Sequence, residues 1–253
     1  MEDKRPGVTV TTSYLECAVQ DLAGDAFGYT RLAPPGMCPG HFDVSPGMVR
    51  DLRASTLLLR FDFQASLDKK IRPLVGESFP IFGIRAPEGL CIPESYQSCL
   101  QETYEALAGV FPGRVEEFKS AREKALGSLS ALEEECRQIM KSEDLLGAKV
   151  IASGHQAVFC RWLGLNVIAS YSGGNASTPK ELQEIIEKGK GSGVEYIIAN
   201  LQEGRQQAEA LSARLDAPVV TFSNFPQMSL GQMSFTQLVR DNLENLARGK
   251  SQK

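Results

Sequence analysis

The chain has 253 residues, a formal net charge of -4 and a hydrophobic content of 42%. This length allows one large domain or two of ordinary size, and the composition is ordinary for a globular protein. The acidic balance argues against a nucleic-acid-binding protein, which usually carries a basic face, and no apolar run is long enough to cross a bilayer. The charged N-terminus lacks the apolar core of a signal peptide, so a cytosolic protein and an exported protein without its signal both stay open.

The first half of the chain alternates predicted strands with predicted helices. Runs of β-branched and apolar residues predict strands at residues 7–12, 27–32, 54–63 and 81–84. A helix over residues 14–22 follows the first strand, with Thr12 or Ser13 as its N-cap, and Ser45 followed by Pro46 predicts the start of another helix. Because strands that alternate with helices form parallel sheets, this half is predicted to be an α/β lobe.

Residues 114–141 contain no proline and carry a single apolar stripe. Apolar or small residues recur there at steps that are mostly threes and fours: Val115, Phe118, Ala125, Leu129, Leu132, Cys136 and Ile139. This spacing predicts one continuous helix. At ~1.5 Å per residue the helix would be about 40 Å long, which outreaches one small lobe and suits a spine that joins two.

The second half repeats the α/β pattern of the first. Strands are predicted at residues 148–152, 166–169, 196–199 and 218–222, and helices at residues 156–163, 206–215 and 234–247, with a further helix starting at Thr178 and Pro179. The predicted fold is therefore α/β, with two Rossmann-like lobes that each contain a parallel sheet. The lobes cover residues 1–112 and 145–253, one long backbone helix over residues 113–144 joins them, and the ligand cleft lies between them.

The chain contains only two histidines, one in each half. His41 ends a loop rich in proline and glycine that also contains Cys38, and His155 lies between a predicted strand and a predicted helix. Ligands of open α/β sheets bind beyond the carboxyl ends of the strands, where His155 and the pair Ser223–Asn224 are expected. Because histidine is the commonest metal ligand, we predict that His41 and His155 bind one metal ion.

Several segments, in this order along the chain, resemble one known family. Residues 8–25 resemble its opening strand and helix, the segment around His41 its first histidine loop, and the segment around His155 a histidine at a helix start. The family is that of the zinc and manganese receptors of bacterial ABC importers, the cluster A-I or TroA-like group. The resemblance implies a solute-binding protein that captures a transition-metal ion and delivers it to the transmembrane permease subunit. It also implies a periplasmic or otherwise extracytoplasmic location, with a membrane anchor such as that of a lipoprotein, and a monomer that neither catalyses a reaction nor binds nucleic acid.

Two ligand positions of this family differ in the present chain. The family has a second histidine in its first lobe, where the loop over residues 88–95 offers Cys91. Its last ligand is an aspartate after the last strand, where Ser223 aligns without gaps and Asn224 follows. The resemblance therefore implies five candidate ligands: His41, His155, Cys91, Ser223 and Asn224. The sixth candidate is Cys38, because it lies three residues before His41 and a C-x-x-H pair in a loop can chelate one ion.

Each non-histidine candidate has a structural alternative. The cysteines can be buried thiols, and Ser223 with Asn224 can form a turn that ends the strand. Loss of the aspartate disfavours manganese, which prefers carboxylate oxygens, whereas two imidazoles with one or two thiolates favour zinc and allow copper(I). If neither Cys38 nor Cys91 binds the ion, the expected cargo becomes a metal chelate or a small organic solute. A Cys-His enzyme is a further alternative, although no orienting acid or oxyanion-hole motif supports it.

Overall fold

The computed structural model describes residues 5–33, 45–174, 177–226 and 234–250, and within them the chain forms two four-stranded parallel sheets with helices. The chain divides into two compact units. The first comprises Met1–Pro87, Glu94–Leu129 and Phe225–Phe235. The second comprises Glu88–Pro93, Ser130–Asn224 and Thr236–Lys253.

The sheet of the first unit has the order β2-β1-β3-β4. Its strands are β1 (Gly7–Val10), β2 (Gly28–Arg31), β3 (Ser55–Phe61) and β4 (Ile81–Ile84). The helices before the long helix are α1 (Ser13–Ala23), α2 (Pro46–Ala54), α3 (Asp68–Val75) and α4 (Pro93–Val110). Both predicted N-caps are confirmed, because Thr12 Oγ1 accepts from the Leu15 amide and Ser45 Oγ from the Met48 amide. Apolar residues of the sheet and helices form the core of this unit, among them Leu32, Leu52, Leu58 and Ile71.

The long helix α5 spans Val115–Ser142 and has 28 residues, which confirms the continuous helix predicted from the apolar stripe. Phe118, Leu129, Leu132 and Cys136 from that stripe are buried. The helix contributes residues to both units, because the division between them falls after Leu129. None of the helices in the described part of the chain is long and apolar enough to span a bilayer.

The sheet of the second unit has the order β6-β5-β7-β8. Its strands are β5 (Lys149–Ser153), β6 (Asn166–Tyr171), β7 (Tyr196–Asn200) and β8 (Val219–Phe222). The helices that alternate with and follow them are α6 (Gly154–Trp162), α7 (Pro179–Ser192), α8 (Gln206–Leu215) and α9 (Phe235–Lys250). The strand and helix alternation predicted for this half is confirmed, including the N-cap at Thr178, whose Oγ1 accepts from the Glu181 amide.

The strand order of the second sheet places two chain segments side by side. The central strand β5 pairs with β6 on one side and β7 on the other, so successive crossovers run in opposite directions from it. Ala152 of β5 lies opposite Ile198 of β7 in the parallel register. The segments that follow β5 and β7 therefore meet at the carboxyl end of the sheet, the position where open α/β sheets bind ligands.

Candidate metal site

Four of the six predicted ligands lie in the second unit. They are His155, Cys91, Ser223 and Asn224. The other two, Cys38 and His41, lie outside the described residues.

His155 lies in the first turn of α6, directly after β5. Its side chain is 69% exposed, and its Nε2 lies 3.5 Å from Oε1 of Glu203. Glu203 ends a short 3-10 turn, Leu201–Glu203, that follows β7. The structure thus brings an imidazole and a carboxylate together at the carboxyl ends of two adjacent strands.

The Glu203 carboxylate is held in place from two sides. Its Oε2 accepts a hydrogen bond from the Ser153 hydroxyl at the end of β5, and Ser153 is fully buried. A Cβ atom built at Gly173 would lie only 2.3 Å from Glu203 Cδ, so a side chain at this position would overlap the carboxylate. Oε1 is the carboxylate oxygen that lies near His155.

Cys91 lies among polar groups of the second unit, yet its thiol is fully buried. The thiol donates to the Ser223 carbonyl oxygen, with Sγ and O 3.1 Å apart, and the Asn242 side-chain amide donates to Sγ at 3.5 Å. Burial raises the pKa of the Cys91 thiol well above its ordinary value. Because only the thiolate is a strong metal ligand, Cys91 in this arrangement acts as a hydrogen-bond donor.

Ser223 and Asn224 are buried at the end of β8, and amide groups occupy their side-chain oxygens. Ser223 Oγ accepts from Gln202 Nε2 at 2.9 Å, and Asn224 Oδ1 accepts from Gln156 Nε2 at 3.0 Å. Gln156 Nε2 also donates to Asn200 Oδ1 at 3.1 Å. This amide network ties the segments that follow β5, β7 and β8 to one another.

Glu203 is absent from the predicted ligands, although one signal pointed to it. It follows the strand predicted at residues 196–199, at the sheet edge where ligand groups are expected. In the described ranges, no group of three or more His, Cys, Asp or Glu side chains is placed to hold a metal ion. Those ranges therefore contribute a pair, His155 and Glu203, to the candidate site.

We expect the five cysteines in the described part of the chain to resist thiol reagents in the native protein, because all five are buried. Burial raises the pKa of Cys99 and of Cys160 to about 12, which keeps these thiols protonated and unreactive. Ellman's reagent should modify at most one thiol in native, reduced, metal-free protein and all six in guanidinium chloride. A Cys38→Ser variant should remove any rapid native reaction. Rapid labelling of Cys91, located by peptide mass spectrometry, would contradict the buried position.

Comparisons with known proteins identify the family of the chain and test its fold. The sequence matches the family model ZnuA, described as zinc-uptake complex component A, periplasmic, over residues 92–249, which is more than half of the chain. No curated protein sequence matches the chain.

Several solved structures have a similar fold at low sequence identity. A crystal structure of ZnuA has a TM-score of 0.81 at 16% identity, covering 97% of this chain and 99% of that one. The periplasmic zinc-binding protein TroA from Treponema pallidum has a TM-score of 0.79 at 14% identity, with coverage of 97% and 99%. A manganese-bound periplasmic metal-binding protein from Candidatus Liberibacter asiaticus has a TM-score of 0.81 at 12% identity, with coverage of 96% and 99%. These similarities confirm the predicted α/β fold with two parallel sheets.

Proposed function

The chain belongs to the ZnuA family of periplasmic zinc-uptake components, and we propose that it is the solute-binding protein of an ABC importer for a transition-metal ion. The family membership predicted from the sequence is thereby confirmed. The observation that carries the proposal is the exposed imidazole of His155 beside the Glu203 carboxylate, at the carboxyl ends of β5 and β7. The protein would bind the ion outside the cytoplasm and deliver it to a membrane permease, without catalysing a reaction.

We propose zinc as the ion. Imidazole nitrogen and carboxylate oxygen are both common zinc ligands. The argument for copper(I) rested on thiolates, and it now depends on Cys38 because the Cys91 thiol is buried and protonated. The argument against manganese rested on a lost carboxylate, and Glu203 supplies one. Zinc and manganese are therefore the two ions that an experiment has to separate.

A thermal-shift titration of reduced, metal-free protein tests the proposed function. A ligand that binds only the folded state stabilises it by about 2.7 kcal/mol at a concentration 100-fold above its dissociation constant. For a chain of this size, that corresponds to a rise in Tm on the order of 5 °C or more. We expect this rise with zinc and a smaller one with manganese or copper(I), and magnesium at equal concentration serves as the control.

Two results would contradict parts of the proposal. Equal shifts with zinc and magnesium would show an unspecific effect of divalent cations. No shift with any of the transition-metal ions would reject a free ion as the cargo, and a metal chelate or a small organic solute would become the leading alternative.

A further inference from the structure

We infer that the Glu203 carboxylate is a ligand of the ion and takes the place of the aspartate that this chain lacks after β8. The inference rests on the proposed function, since it assigns a second ligand to the same ion as His155. Neither the sequence motifs nor the family match points to Glu203, and its role follows from its position in the second unit.

The separation of the two candidate ligand atoms fits a tetrahedral zinc ion. Zinc lies about 2.0–2.2 Å from nitrogen and oxygen ligands, so two ligand atoms at the tetrahedral angle are about 3.3–3.5 Å apart. His155 Nε2 and Glu203 Oε1 are 3.5 Å apart. This distance is longer than the usual 2.7–3.2 Å of an N–H···O hydrogen bond, taken as a rough range. The spacing of the pair thus matches that of two ligands of one tetrahedral ion.

The surroundings of Glu203 hold its carboxylate in the way that hydrogen-bond partners hold the ligating side chains of metal sites. The Ser153 hydroxyl donates to Oε2, and hydrogen bonds of this kind fix the ligating carboxylates of metal sites. The side chain is 19% exposed, so it is largely packed yet open to an incoming ion. Gly173 leaves the space that the carboxylate occupies.

The alternative oxygens after β8 are already engaged. Ser223 Oγ accepts from Gln202, and Asn224 Oδ1 accepts from Gln156 and lies 3.8 Å from the Cys91 thiol. An ion bound through either oxygen would compete with these buried hydrogen bonds, and both oxygens are neutral and therefore weaker ligands than a carboxylate. Glu203 instead offers a negatively charged oxygen, which restores the charge lost with the aspartate.

The test compares Glu203→Gln with Glu209→Gln, a matched control on the exposed surface of α8. Zinc affinity is measured by competition with a chromophoric chelator, and the coordination by the visible absorption of the cobalt(II)-substituted protein. We expect Glu203→Gln to raise the zinc dissociation constant at least about 10-fold and to shift the cobalt(II) bands, because a ligand is lost. Ser153→Ala keeps the Glu203 carboxylate but removes the hydrogen bond that orients it. We therefore expect the zinc affinity of this variant to be about 10-fold weaker. The Glu209→Gln protein should match the wild type in both measurements.

The outcomes separate this inference from the proposed function. Wild-type affinity and an unchanged cobalt(II) spectrum in Glu203→Gln, together with weak binding by His155→Ala, would overturn the role of Glu203 and leave a metal receptor. Weaker zinc binding with an unchanged spectrum would also overturn it, because the effect would then be indirect. Absence of zinc and cobalt(II) binding in the wild type would overturn both. The Tm of each metal-free variant confirms that the fold persists.

Discussion

Replacing His155 by alanine is expected to raise the zinc dissociation constant by at least about 100-fold, because the loss of a residue that merely hydrogen-bonds to a ligand typically costs about 10–100-fold. The imidazole is 69% exposed, and its described contact is with Glu203 at 3.5 Å. The metal-free variant should therefore keep its stability to within about 0.5 kcal/mol, as exposed substitutions usually do. Isothermal titration calorimetry gives the affinity, and thermal unfolding without metal gives the stability.

Arg161→Ala is the matched control, since Arg161 is an exposed residue in the last turn of the same helix. It should bind zinc as the wild type does. Unchanged affinity in His155→Ala would remove this residue from the site. His41→Ala, measured in parallel, tests the predicted ligand that lies outside the described residues, and a loss of similar size would support it.

Local sequence signals were sufficient for most of the fold. The β-branched run of β1, the apolar run of β3, the caps at Thr12 and Ser45 and the apolar stripe of α5 each depend on residues close together in the chain. The helix α3 is absent from the predicted elements, and it contains Pro73, which removes a backbone donor and ordinarily argues against a helix. Packing in the first unit, with Ile71 buried in its core, holds this helix in place.

The candidate site was only half visible in the sequence. His155 was found because histidine is rare in this chain and follows a strand. Glu203 also follows a predicted strand, but it lies in a polar segment with other candidate oxygens, and its bond to Ser153 joins residues 50 positions apart. The burial of Cys91 depends on Ser223, 132 positions away, and on Asn242, 151 positions away. Such pairings arise from the strand order, which the local pattern does not specify.

Asn242 holds the end of β8 and the Cys91 segment together within the second unit. It is buried in α9, and its Oδ1 accepts from the Ser223 backbone amide at 2.8 Å. Its Nδ2 donates to the Ser223 carbonyl oxygen at 2.9 Å and to the Cys91 thiol at 3.5 Å. One side chain thus bonds to both backbone groups of the buried Ser223.

Asn242→Leu is therefore expected to destabilise the metal-free protein by about 2–4 kcal/mol. Leucine fills a similar volume, but it removes the acceptor of the buried Ser223 amide and the Nδ2 donor to the Ser223 carbonyl and the Cys91 thiol. The loss of a partner costs a buried polar group about 1–3 kcal/mol. Thermal unfolding should show a fall in Tm on the order of 5–10 °C for a chain of this size. Omitting the metal ensures that the change reflects the fold rather than ion binding.

Asn245→Leu, three residues further along α9, is the matched control. Its side chain is exposed and donates to the Thr221 carbonyl oxygen at 3.2 Å, so solvent can replace the lost bond. We expect a change of about 0.5 kcal/mol or less. An equal loss of stability in both variants would mean that the buried bonds of Asn242 do not set the effect, because leucine has the higher helix propensity. A loss confined to Asn242→Leu would assign the anchoring of Ser223 and Cys91 to this one amide.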